Sequence, residues 1–124
     1  MSAYDPTTTY LHLTPDGTAT PVSVGPDFWA TVSDRFDEGA LLTAFRMTED
    51  FPHWEMHPAG DELAIVRSGE LELVFDEPTG ERRARVGAGQ VGVIPRGVFH
   101  YAIVRSPADV LFLTPGRGTQ HRPR

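Results

Sequence analysis

His53, Glu55 and His57 occupy alternate positions in the segment Pro52-His53-Trp54-Glu55-Met56-His57-Pro58. Side chains alternate across a strand, so on an extended chain these three share one face, and Trp54 and Met56 share the other. Glu62 comes five residues after His57, across a turn from Pro58 to Asp61, where the next β-rich segment begins. Far downstream, His100 stands in Val98-Phe99-His100-Tyr101-Ala102, an otherwise apolar and aromatic run. Buried imidazoles and carboxylates need partners, and one shared divalent cation would serve two histidines and two glutamates together. Two carboxylates held close repel each other unless protonated or neutralised, which favours the cation. The alternative is a metal-free cluster, in which Glu55 and Glu62 hydrogen-bond or ion-pair with His57, His100 or an inward arginine.

The spacing is similar to that of the cupin superfamily. Its first motif reads His-x-His, three or four residues, Glu, six residues, Gly. Its second reads Gly, five residues, Pro-x-Gly, two residues, His, three residues, Asn. Here Glu55-x-His57, Glu62 and Gly69 stand in the first motif, and Gly89, Pro95, Gly97 and His100 keep every spacing of the second. Glu55 fills the slot of the first histidine, and Val104 fills that of the closing asparagine, a position that supports the barrel rather than the ion. The chain resembles the small single-domain bacterial cupins. The resemblance implies an all-β double-stranded β-helix, or jelly-roll barrel, with one divalent metal ion inside it. Glu55, His57, Glu62 and His100 are the ligands it implies, and their mixed nitrogen and oxygen donors suit Fe, Mn, Ni or Zn.

His53 does not replace the missing histidine. At the rise of an extended strand, residues 53 and 57 are about 13 Å apart, too far to reach one ion together, whereas residues 55 and 57 are about 6.6 Å apart. His53 is then expected in the substrate pocket or as an ordinary exposed histidine, Tyr101 in the substrate pocket, and Glu62 or Glu55 as general base. The expected function is that of a metal-dependent enzyme acting on a small oxygenated organic molecule, by dioxygenase-like or isomerase or cyclase chemistry. A non-catalytic barrel that binds a small ligand is the alternative, with its metal structural or absent. A third reading is a structural or regulatory dimer that works through its outer surface.

The elements that must position these residues are short strands, punctuated by 11 prolines and 12 glycines. Strands are expected at 10–13 and on to Val24, then at 41–47, 54–57, 63–67, 70–76, 82–86, 91–94, 98–105 and 110–113. In 70–76, Leu71, Leu73 and Phe75 alternate with Glu70, Glu72 and Asp76, which predicts a half-buried strand. One helix is expected from Pro26 to Phe36, with Phe28, Trp29, Val32 and Phe36 on its apolar face. A single domain over residues 1–124 is expected, with its barrel core at about 40–114 and a tail at 115–124. Thr114 to Thr119 is not expected to form a regular strand, and either folds over the barrel mouth or stays mobile.

With no cysteine, the chain has neither disulfides nor thiolate metal sites. A net charge of −6 argues against nucleic acid as the partner. No apolar run reaches the roughly 20 residues of a membrane helix, and Met1 to Tyr10 lacks a secretory pattern, so the cytoplasm is the expected location. Arg117, His121, Arg122 and Arg124 make the C-terminus locally basic, and a solvated tail is its simplest reading. A homodimer is expected, paired through the apolar surface of Trp54, Met56 and the N-terminal elements.

Overall fold

The structure, a computed structural model, describes residues 3–124, with the backbone alone at 32–35. The elements in order are β1 (Thr9–Leu13), β2 (Ala19–Ser23), α1 (Phe28–Arg35), β3 (Ala40–Met47), β4 (His53–Met56) and β5 (Glu62–Glu77). They continue with β6 (Gly80–Gly87), β7 (Val91–Ile94), β8 (Phe99–Pro115) and β9 (Gln120–Pro123). The nine strands join in one antiparallel system, ordered β2-β1-β3-β8-β4-β9, with β5 pairing to β6, β7 and β8. This is a jelly-roll arrangement with one short helix, as expected, although the strands do not close into a complete hydrogen-bonded ring. The main core lies between the sheet faces, around Leu71, Leu73, Phe75, Ile94, Val110 and Phe112. A smaller cluster of Tyr10, Phe28 and Leu41 lies under the helix.

Two pairs of expected strands are each one long strand. Segments 63–67 and 70–76 merge into β5, and 98–105 and 110–113 merge into β8. The register between them slips at Val66/Ser68, Ser68/Glu70 and Glu70/Leu71, so Ser68-Gly69 is an irregularity within a ladder and not a chain reversal. Gly69 has φ +79°, and a Cβ there would meet the Pro107 carbonyl oxygen at 2.1 Å. Only glycine allows the two backbones to cross so closely.

Three other expectations are corrected. Residues Leu71 to Phe75 are buried on both faces, because Arg105 and Arg83 cover the Glu72 carboxylate on the outer one. The helix begins at Phe28, after a turn in which the Phe28 amide donates to the Gly25 carbonyl at 3.1 Å. Phe28 is buried and stacks on Phe36 at 5.7 Å, but Trp29 is 52% exposed, and the Val32 side chain lies outside the described residues. The tail is docked. Thr114 and Pro115 complete β8, and β9 pairs along β4 from His53↔Pro123 to Met56↔Gln120. Arg122 lies over the Phe99 ring at 4.4 Å, over the Trp54 ring at 5.1 Å, and pairs with Asp76. Arg124 sits 3.8 Å over Tyr101 and donates to the Phe51 carbonyl. Trp54 is thus covered by the tail and by Tyr101, at 4.6 Å, so it does not offer the open surface on which a dimer was expected. Among the described residues, no helix is long and apolar enough to cross a membrane.

Candidate metal centre

Four strands' worth of backbone bring the acidic and imidazole side chains together. His100 is near the start of β8, in register with Glu55 of β4 on one side and Phe75 of β5 on the other. Glu62 is the first residue of β5, held opposite Ile94 of β7. His57 follows β4, and its carbonyl accepts the Gly97 amide at 3.0 Å, so the Pro95-to-Gly97 turn fixes the segment that carries it. Because strand alternation points His100 inward, Tyr101 must point outward. One donor atom from each of Glu55, His57, Glu62 and His100 lies within 4.8 Å of the others.

The distances among them are those of a coordination shell. His57 Nε2 is 2.9 Å from Glu55 Oε1 and 3.3 Å from Glu62 Oε1, and His100 Nε2 is 3.3 Å from the same Glu62 oxygen. Ligands about 2.1 Å from one ion stand about 3.0–3.4 Å from one another in octahedral or tetrahedral shells. These contacts have hydrogen-bond lengths but not hydrogen-bond directions. Both Nε2 atoms are buried, and neither has a hydrogen-bond partner. His100 Nδ1 lies 3.3 Å from the Val98 carbonyl, which can only accept, so that nitrogen carries the proton and a neutral ring turns its Nε2 lone pair inward. His57 Nδ1 is similarly occupied by Thr119 Oγ1 at 2.9 Å. A lone pair facing a carboxylate oxygen at full burial calls for a cation between them. The four residues therefore fit a divalent metal ion, with Val98 and Thr119 orienting the imidazoles.

Without an ion, protons take up the strain. Burial disfavours a charged His57, but Glu55 and Glu62 outweigh it and raise the imidazole to about 9. Burial likewise disfavours the Glu62 carboxylate, yet His100 and His57 bring it down to about 2. Glu55 shifts the same way: burial opposes its charge, and His57 still holds its carboxyl below the usual range. Glu62 is the more confined carboxylate, because Thr114 Oγ1 also donates to its Oε2 at 2.5 Å. Glu55 keeps 23% of its side chain exposed, against 5% for Glu62.

The centre opens on a cavity of about 830 Å³, walled by Phe45, Met47, Phe51 and Phe112 and reached by Glu55, His57 and Glu62. Two residues expected in the pocket are not among those that line it. Tyr101 is on the outer face with Trp54 and Arg124, and His53 stacks edge-on against His121 at 4.8 Å. Residues Gly116 to Thr119 are among those that line the cavity. Thr114, Thr119 and His121 touch the centre and were not foreseen as part of it. Only the docking of β9 on β4 brings His121 to Glu55, with Nε2 and Oε2 3.0 Å apart.

A family model described as a cupin domain matches residues 46–115, more than half of the chain and all four residues of the centre. A cupin-2 domain protein from Shewanella frigidimarina overlays with a TM-score of 0.52 at 24% identity, over 68% of this chain and 71% of that one. Oxalate decarboxylase from Bacillus subtilis overlays with a TM-score of 0.53 at 18% identity, over 68% of this chain and 22% of that one. At these identities the likeness is one of fold alone. A curated sequence, the endoribonuclease YbeY of Myxococcus xanthus, is 43% identical over 49 residues. Those residues are 37% of this chain and 15% of that protein, too small a share to carry its activity across. The family match, the jelly-roll topology and the convergent histidines and glutamates agree: the chain belongs to the cupin family.

Proposed function

We propose that this protein is a metal-dependent cupin enzyme acting on a small oxygenated organic molecule, by dioxygenase-like or isomerase or cyclase chemistry. Glu55, His57, Glu62 and His100 are the residues that would hold one divalent ion, Fe, Mn, Ni or Zn. Bound there, the ion would supply polarisation of a substrate oxygen, or redox chemistry if it is iron. The observation that carries the reading is the pair of buried, unpartnered Nε2 atoms of His57 and His100, both facing Glu62 Oε1 at the edge of a roomy cavity.

The protein's own groups divide the remaining work. Glu62 is fixed by Thr114 and two imidazoles, which suits a ligand and not a mobile base. Glu55 is partly exposed and lines the cavity, and its oxygens face only the imidazoles of His57 and His121, so it is the better general base. Phe45, Met47, Phe51 and Phe112 would exclude water and hold the carbon skeleton of the substrate. The whole chain acts as one cupin domain, and the cytoplasm is its proposed setting. The homodimer is retained as a proposal on a different basis, Val91 and Val93 of β7, which are 52% and 54% exposed. Light scattering at micromolar concentration tests it, and a constant mass of 13.7 kDa would refute it.

The experiment for the main reading has two stages. Metal is counted in protein purified without added ions, and the loaded protein is then screened against small hydroxy-, keto- and enol-containing compounds with and without oxygen. Turnover that consumes oxygen selects the dioxygenase-like branch, and anaerobic turnover selects isomerase or cyclase chemistry. Saturable binding with no turnover in either condition would make the barrel a receptacle and refute the enzyme.

A further inference from the structure

Glu55 has two oxygens, and the structure turns them toward different imidazoles. Oε1 lies 2.9 Å from His57 Nε2, on the inner set, and Oε2 lies 3.0 Å from His121 Nε2, on the outer side. His121 stands directly opposite Glu55 in the β4–β9 ladder, and His53 is two residues back on β4. Two residues spaced by two on one strand, and the cross-strand partner of one of them, share a sheet face, with opposed Cβ atoms about 5 Å apart. The side chains converge accordingly. One donor atom from each of His53, Glu55 and His121 lies within 4.8 Å of the others.

We propose that His53, Glu55 and His121 form a second divalent-cation site, beside the inner set and joined to it by Glu55 as a bridging carboxylate. The bridge rests on the reading of Glu55 as an inner ligand; the outer pair of imidazoles does not. Two imidazoles and one carboxylate are a donor set that takes Zn(II), Ni(II) or Cu(II). The side chain of His121 is 52% exposed, so water completes the shell and the site is the weaker of the two. An ion pair accounts for the contact between Glu55 and His121, and an edge-on ring contact for that between His53 and His121; a cation would use all three side chains at once. His53 and His57 are too far apart along the strand to share one ion, and here each serves a different one. The C-terminal strand thereby becomes part of the metal chemistry, because it supplies a ligand that the barrel itself lacks.

The test is a titration of Zn(II) into chelator-stripped, full-length protein, followed by calorimetry, with bound zinc counted by equilibrium dialysis. The wild type should take two equivalents, one tight and one weak. His121→Ala and His53→Ala should each drop the count from two to one and keep the tight one, with His121→Gln as a second variant should β9 be disturbed. His100→Ala should lose the tight equivalent and keep the weak one. Two equivalents retained in both His121→Ala and His53→Ala would overturn the proposal, as would a single wild-type equivalent that disappears in His100→Ala and survives in His121→Ala. A single equivalent with the opposite behaviour would keep the outer site and remove the inner one.

Discussion

The strand that carries His100 and the strand that carries Glu55 are built very differently. β8 has 17 residues and is paired along its length, to β3 and to both arms of β5. β4 has four residues, meets β8 through one register pair, and is otherwise flanked by the C-terminal β9. His100 is fully buried and Glu62 nearly so, whereas Glu55 and His121 reach solvent. The centre thus has a rigid wall and an adjustable one. The rigid wall would set where a cation sits, and the adjustable wall offers a carboxylate that can approach an ion, a proton or a second imidazole.

The largest expected effect comes from breaking the rigid wall. Glu62→Ala leaves His100 without its carboxylate and His57 with Glu55 alone, and loss of one partner from such a buried set costs about 3–5 kcal/mol. Denaturant unfolding should show that loss, and metal analysis should find the inner ion gone. Second in size is removal of the metal itself. An ion at a hundred times its dissociation constant stabilises the folded chain by about 2.7 kcal/mol, so a chelator should lower the Tm by a matching amount. On the adjustable wall, Glu55→Ala should weaken inner-site binding without abolishing the fold. Glu55→His should retain metal and shift preference toward Zn(II), Ni(II) or Cu(II). Equal damage from Glu55→Ala and Glu62→Ala would erase the distinction between the walls.

A pH series sharpens the comparison further. In metal-free protein, His57 titrates near 9 when folded, above its ordinary value of 6.5, so its contribution is full below about 6.5 and is lost as pH rises toward 9. Glu62 is shifted down from 4.5 to about 2, so its contribution is full above about 4.5 and is lost as pH falls toward 2. The metal-free Tm should therefore peak between about pH 4.5 and 6.5. Metal affinity should instead climb as pH rises to 9, because the ion competes with the His57 proton. His57→Gln should flatten the alkaline limb of the melting profile. The smallest expected effect is that of Arg122→Ala. Its stacking on Phe99 and Trp54 contributes about 0.5–1 kcal/mol at an exposed site, and the tight equivalent of metal should be untouched. A loss of tight metal in that variant would show that the tail organises the rigid wall as well.

Much of this molecule was legible in the chain. Glu55 and His57 were marked by strand alternation, because a period of two says which side chains share a face, and Glu62 and His100 by residue type and the motif spacing of the family the chain resembles. The turn residues Gly89, Pro95 and Gly97 place His100 in the same way. Local pattern was misleading where two strands cross. Ser68-Gly69 reads as a turn, and only the approach of Pro107 shows that the chain continues through it. Tyr101 was expected in the pocket, although alternation from His100 turns it to the opposite face. Glu72 looked solvent-facing until arginines from β6 and β8 closed over it.

The sequence by itself marked four candidate donors, Glu55 and His57 through strand alternation, and Glu62 and His100 through residue type and the motif spacings of the family it resembles. Only the tertiary structure decided that Nε2 of both imidazoles is left without a partner, that Thr114 confines Glu62, and that the tail is a strand. It also decided that His121, 66 residues from Glu55, stands beside it. Such pairings depend on which strand edges are left open once β3, β5 and β8 have packed. That is a property of the assembled sheet, and no local pattern of residues encodes it.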